Sequence, residues 1–186
     1  MTLSSSMPWQ IGFINIERPG RGVTVSAMGI NGAQLSQWSK WRPGMWEDLA
    51  QTKADLIILA YGTNEAFSGN LDISSTERTW RNYIRQIKNT LPNAGILILG
   101  APESLKTAYG SCGNRPVLLS EVQQMQQRIA RDEKIMFWSW QDAMGGACSM
   151  KNWMAQGLAA KDGVHFSAQG YETAADKLAD SLIRFA

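Results

Sequence analysis

The sequence predicts an α/β fold in which a parallel sheet carries helices on both faces. Three observations lead to this expectation. Residues 55–61 (Asp-Leu-Ile-Ile-Leu-Ala-Tyr) are apolar on both faces, as a strand buried in a parallel sheet is. Other stretches place their apolar residues at helical spacing. Strand-like and helix-like stretches alternate along the chain, the pattern of helices crossing over between parallel strands. A length of 186 residues fits one domain with a sizeable core.

In chain order, residues 10–17 alternate loosely as a strand (Ile11, Phe13, Ile16) until Arg18-Pro19-Gly20 breaks it. Residues 22–28 are β-prone through Val23, Thr24 and Val25. They run into Gly29-Ile30-Asn31-Gly32, whose residues tolerate unusual backbone angles. A helix is expected over 33–41 and another from Pro43, which suits a first helical turn. The strand at 55–61 ends in Gly62-Thr63-Asn64-Glu65. Ser74-Ser75-Thr76-Glu77 reads as a capping box, and Trp80, Tyr83, Ile84, Ile87 and Leu91 form the stripe of the helix behind it, which Pro92 ends. Residues 96–99 are the next buried strand, followed by a long loop over 100–115. Ser120 and Gln123 suggest a second capping box, with Leu118, Val122, Met125 and Ile129 as the stripe. Residues 135–138 read as a short strand, and 140–161 as an irregular stretch with two short helices. Ser167 caps the last helix, whose stripe is Tyr171, Ala174, Ala175, Leu178, Leu182 and Phe185. Trp46, Trp80, Met125 and Met136 fit core positions.

Composition narrows the function classes. Hydrophobic residues are 44% and charged residues 18%, the balance of a globular chain. The net charge is only +2 and no Lys/Arg cluster forms a nucleic-acid footprint. No apolar run approaches the ~20 residues of a membrane span. Residues 1–7 lack the basic start and apolar middle of a signal peptide. Eight tryptophans are many for this length; some belong to the core, and any surplus on the surface suits stacking on sugar or aromatic ligands. Cys112 and Cys148 lie in two Gly/Ser-rich loops. They either form a disulfide, which would imply an oxidising compartment, or stay as two half-buried thiols. With one histidine and two thiols the chain lacks the ligands of an ordinary zinc site, and no cofactor is expected.

Ligands of such folds bind at loops beyond the carboxyl ends of the strands. The loops at 29–32, 62–65 and 162–165 would therefore share one rim. His165 is the only histidine, and an imidazole, with an unperturbed pKa near ~6.5, is the side chain best suited to move a proton near neutral pH. Asp162 on the same short loop can fix its tautomer and stabilise the imidazolium. The Asn64 amide and the Gly32 backbone N–H can donate to a developing oxyanion, each worth about 3–4 kcal/mol in a transition state. Taken alone, Asn64 could equally cap the turn after its strand. Glu65 reads as a turn stabiliser and carries no assigned role.

At this point the chain resembles a known family. Gly29-Ile30-Asn31-Gly32, Gly62-Thr63-Asn64-Glu65 and Asp162-Gly163-Val164-His165 resemble the second, third and fifth blocks of the SGNH (GDSL-type) hydrolases. The extended wording is similar to the bacterial peptidoglycan O-acetylesterase branch, as in residues 29–34, 61–66, 136–141 and 162–171. The resemblance covers roughly Ile11 to the end. It implies a three-layer α/β/α sandwich with a flavodoxin-like parallel sheet. It also implies a metal-free serine esterase that removes acetyl groups from peptidoglycan, with Asp162 and His165 catalytic and Gly32 and Asn64 in the oxyanion hole.

One departure stands out. The family's first block, Gly-Asp-Ser at the end of the first strand, is absent. Ser4, Ser5 and Ser6 lie in a polar leader and Ser26 lies inside a β-prone run. The expectation is a hydrolase domain over 22–186 without its first strand, preceded over 1–21 by a leader or the tail of an inserted module. The nucleophile would come from outside the chain. A separate N-terminal segment could supply Gly-Asp-Ser, residues 10–17 could fill the strand's place, or the piece could have been excised after folding. The expected partner is an O-acetylated glycan, with no nucleic acid and no membrane span, in the periplasm or cell envelope. Two other readings keep the same motifs: an O-acetyltransferase, and a non-catalytic glycan-binding domain.

Overall fold

The computed structural model describes Gly20 and residues 22–185. The chain divides into two compact units, Met1–Ile30 and Asn31–Ala186. The strand expected over 10–17 lies outside the described residues. In the first unit, residues 22–30 carry no regular secondary structure, and Val23 and Val25 are exposed. The strand expected at 22–28 is thus not formed. β-propensity records fit to a paired, half-buried surface, and among the described residues no ladder partner engages these.

The second unit holds an α/β fold. A 3-10 helix, Leu35–Lys40, precedes α1 (Met45–Thr52), β1 (Leu56–Leu59), α2 (Thr63–Phe67) and α3 (Ile73–Thr90). Then come β2 (Gly95–Leu99), α4 (Leu119–Glu133), β3 (Met136–Trp138), α5 (Trp140–Met144), α6 (Met150–Ala155) and α7 (Ala168–Phe185). Among the described residues the sheet has the order β1-β2-β3, all parallel, with Ile58 beside Leu97 and Leu97 beside Met136. This is the α/β class the sequence predicts, and the strands fall on its apolar runs.

Successive strand residues point to opposite faces. Leu59, Ile96, Ile98 and Phe137 turn toward α3 and α4, where Trp80, Ile84, Ile87, Val122, Met125 and Ile129 complete one core. Trp138 turns the other way, into a second core with Met144, Met150, Trp153, Phe166 and Ala174, and its indole N–H donates to Ser181 Oγ on α7 at 3.2 Å. Helices therefore cover both faces. Met136 departs from its expected core position and is exposed, because it stands at the start of β3, the last strand of the described sheet, on the same row as Ile58, which is also exposed.

Both expected capping boxes form differently. Asp72, not Ser74, caps α3 by accepting from Ser75 N at 3.1 Å, and Glu77 pairs with Arg81 and Arg128. Leu118 stands at the N-cap of α4. Ser120 accepts from Arg115, and Gln123 donates to Ala101 O. In α3 the helix starts earlier than expected, with Asp72 as its local cap, and in α4 a cation and a carbonyl more distant in sequence take the expected cap side chains.

Cys112 and Cys148 are joined in a disulfide across 36 positions of sequence. Closing such a loop constrains the unfolded chain, so reduction is expected to lower unfolding free energy by about 2–4 kcal/mol. Denaturant melts with and without reductant check this, and a change near zero would contradict it.

Candidate active site

The loop at 158–167 folds back on itself. Ala159 and Phe166 form an antiparallel bridge, Ala160 N donates to His165 O at 2.8 Å, and Ser167 N donates to Leu158 O at 3.0 Å. Gly163 sits at the turn with φ +72, a left-handed conformation that side chains resist. Its carbonyl accepts from Leu105 N at 2.8 Å, which ties this loop to the segment leaving β2. A Cβ on Gly163 would stand 2.9 Å from Leu105 Cβ. Gly163→Ala is therefore expected to cost about 1–3 kcal/mol from backbone strain alone, with further loss from the clash. Thermal unfolding checks this, and an unchanged melting temperature would contradict it.

Asp162 organises the turn and the histidine together. Oδ1 accepts from Val164 N at 2.8 Å and from His165 N at 3.0 Å. Oδ2 lies 2.7 Å from His165 Nδ1. The His165 ring bond, then its backbone N–H, hold the Asp162 carboxyl down to about 2. The carboxylate is thus charged wherever the imidazole could use it. With Nδ1 engaged, Nε2 is the atom left to exchange protons, as a general base requires.

The second cluster lies at the end of β1. Gly32 has φ +75, and a Cβ added there would meet nothing within 4 Å, so the backbone turn, not crowding, calls for glycine. Asn64 Nδ2 donates to Ala33 O at 3.0 Å, and Gln34 Nε2 donates to Asn64 O at 3.2 Å. An amide nitrogen carries two hydrogens, so the bond to Ala33 fixes the plane of the Asn64 amide and leaves the second hydrogen for another acceptor.

The structure thus brings Asp162 to His165, and Asn64 to the turn carrying Gly32. Both clusters follow the carboxyl ends of adjacent parallel strands, Asn64 after β1 and the His165 loop through Leu105 after β2. Among the described residues no hydrogen bond joins one cluster directly to the other. No group of three or more metal-ligating side chains occurs among them. No helix there is long and apolar enough to cross a membrane.

Two buried carboxylates stand behind these clusters, and the motifs assign a role to neither. Glu65, with 1% exposure, accepts from Leu35 N and Gly62 N, both at 2.9 Å, and burial pushes its carboxyl above the ordinary range. Glu103 is fully buried, pairs with Arg115 at 2.7 Å, and accepts from Gln141 at 2.6 Å and from Cys148 N at 3.2 Å. Both stand just beyond buried strands, a place where an acidic residue is the available sequence signal.

A His–Asp pair and amide donors at the carboxyl end of a parallel α/β sheet are an arrangement that can support acyl transfer. The family model of the GDSL-like Lipase/Acylhydrolase family matches residues 14–173, and the chain belongs to that family. A solved peptidoglycan O-acetylesterase is 68% identical and superposes with a TM-score of 0.85, covering 86% of this chain and 46% of that one. The chain thus spans about half the length of that relative. More distant structures share the fold. An acetyl xylan esterase is 16% identical with a TM-score of 0.64, covering 82% of this chain and 78% of that one. A lipase/acylhydrolase from Enterococcus faecalis is 16% identical with a TM-score of 0.54, covering 76% and 66% respectively. No curated protein sequence matches the chain.

Proposed function

We propose that this chain carries the base, its orienting acid and the oxyanion donors of a serine esterase that removes O-acetyl groups from peptidoglycan or a related glycan. The observation that carries the reading is the 2.7 Å contact of His165 Nδ1 with Asp162 Oδ2 in a GDSL-like acylhydrolase. The 68% identical peptidoglycan O-acetylesterase supports the choice of glycan. The disulfide supports a cell-envelope or periplasmic location. The hydrolase domain runs over 22–186, with 1–21 as a leader or the tail of an inserted module.

A serine hydroxyl supplied from outside residues 1–186 attacks the acetyl carbonyl. His165 Nε2 takes its proton, and Asp162 stabilises the imidazolium. Asn64 Nδ2 and Gly32 N donate to the oxyanion. Collapse of the tetrahedral intermediate expels the sugar oxygen, which takes the proton from His165. Water, deprotonated by His165, then attacks the acetyl-enzyme, and acetate leaves as the serine recovers its proton.

The test is acetate release from O-acetylated peptidoglycan by the protein holding the Gly-Asp-Ser segment, with His165→Ala beside it. Release that falls at least about 1,000-fold in the variant supports the reading. Binding of glycan without release, or equal release by both proteins, contradicts it. Acetyl groups moved to a second glycan in preference to water would instead make it an O-acetyltransferase.

A further inference from the structure

Glu65 is a carboxyl group where the reaction needs no second one beside Asp162. It is buried to 1% exposure and no cation pairs with it among the described residues. Burying an unneutralised carboxylate is costly unless hydrogen bonds compensate it. Here both oxygens accept from backbone amides. Oε1 accepts from Leu35 N, the first residue of the 3-10 helix and three positions beyond Gly32. Oε2 accepts from Gly62 N, two positions before Asn64. One side chain therefore spans the two turns that carry the oxyanion donors.

The same two turns are held by weaker, exposed straps. Asn64 Nδ2 donates to Ala33 O at 3.0 Å and Gln34 Nε2 donates to Asn64 O at 3.2 Å. Neutral bonds at an exposed edge are individually soft, whereas low surrounding polarity strengthens buried ones such as those to Glu65. Donors for an oxyanion act only when held within a few tenths of an ångström of the place where charge develops.

We propose that Glu65 is the positioning residue of the acyl-transfer site: its carboxylate bridges the Gly32 turn to the Asn64 turn and sets the spacing of the two oxyanion donors. The proposal rests on the acyl-transfer reading above. Glu65 is buried and makes no hydrogen bond to His165. It acts through the backbone at Leu35 and Gly62. Replacement by glutamine keeps one acceptor but turns an NH2 group toward a backbone N–H, so one of the two anchors opens.

The experiment compares wild type, Glu65→Gln and Glu65→Ala in the active protein that includes the serine segment. Steady-state hydrolysis of p-nitrophenyl acetate is measured per active site, with sites counted by titration with a serine-directed fluorophosphonate. Binding of phenylboronic acid, a tetrahedral mimic, is measured beside it. The expected result is a kcat per site lowered about 10- to 100-fold in Glu65→Gln and further in Glu65→Ala, with KM within about 2-fold. Boronate affinity should fall in step with kcat. Unchanged kcat per site, with all loss of activity explained by fewer titratable sites, would show a merely structural role and overturn the proposal. Should Glu65→Gln not fold, Glu65→Asp keeps the carboxyl but is one methylene too short to reach both Leu35 N and Gly62 N. A lowered kcat with unchanged KM is expected there, and an unchanged kcat would overturn the proposal. His165→Ala separates the two levels. If it leaves turnover intact, the acyl-transfer reading fails and the positioning role falls with it. If it abolishes turnover while Glu65 variants keep full kcat, only the positioning role fails.

Discussion

Asp162→Asn is expected to lower kcat for acetyl-ester hydrolysis by about 1,000- to 10,000-fold while leaving the fold intact. The two oxygens of Asp162 do different work, and this substitution separates them. Oδ1 accepts from the backbone N–H groups of Val164 and His165. An asparagine oxygen can accept the same bonds, so the turn survives. Oδ2 faces His165 Nδ1. An amide NH2 in that place favours the wrong tautomer and cannot stabilise the imidazolium. Asp162→Ala removes both functions and should lose stability as well as activity. Kinetics and thermal melts on the two variants check this. An Asp162→Asn protein with kcat within about 10-fold of wild type would contradict it.

The same carboxyl sets a pH expectation. Its folded pKa is depressed to about 2 from the ordinary 3.8. A depressed acid contributes stability above its unfolded pKa and loses it only as pH falls through the folded value. Asp162 thus stays charged from neutral pH to about pH 4, and loss of activity across that range does not arise from its protonation. Half of its side chain is exposed, so solvent screening keeps the stability contribution small.

Residues 1–186 prepared alone are expected to hydrolyse acetyl esters at background rate, and a separately made segment bearing a Gly-Asp-Ser strand is expected to restore turnover. No serine in the sequence stands in a Gly-Asp-Ser context. Among the described residues β1 pairs only with β2, which leaves one row of its backbone groups without a ladder. Buried groups left in that state cost about 1–3 kcal/mol each. Ile58, in a run read as buried on both faces, is 44% exposed. An added strand would satisfy the edge and carry the nucleophile to the rim that holds Asn64. Full turnover by the chain alone, abolished by His165→Ala, would contradict this.

Much of this architecture is legible in the residues themselves. The runs around Leu56–Leu59 and Gly95–Leu99 are apolar on both faces, and the stripes of α3 and α4 keep helical spacing, so local pattern and tertiary burial agree. The Asp162–His165 contact is legible because both partners lie on one four-residue turn. What escapes sequence reading depends on partners far away. Glu65 looks like a turn residue until Leu35 N, thirty positions earlier, is found on its carboxylate. Glu103 meets Arg115 and Cys148 only through folding. Ser120, Gln123 and Glu77 have the right spacing for caps but bond to Arg115, Ala101, Arg81 and Arg128 instead. The β-prone run at 22–28 shows the same limit from the other side, since propensity without a paired neighbour makes no strand.

We propose a division of labour, in which this chain holds the base and the oxyanion donors while the nucleophile lies elsewhere. Active protein treated with a fluorophosphonate and digested for peptide mapping tests it most directly. One labelled serine is expected, within a Gly-Asp-Ser sequence outside residues 1–186, with labelling slowed sharply by His165→Ala. A label on Ser4, Ser5, Ser6, Ser26 or any other serine of this chain, lost in the same variant, would contradict it.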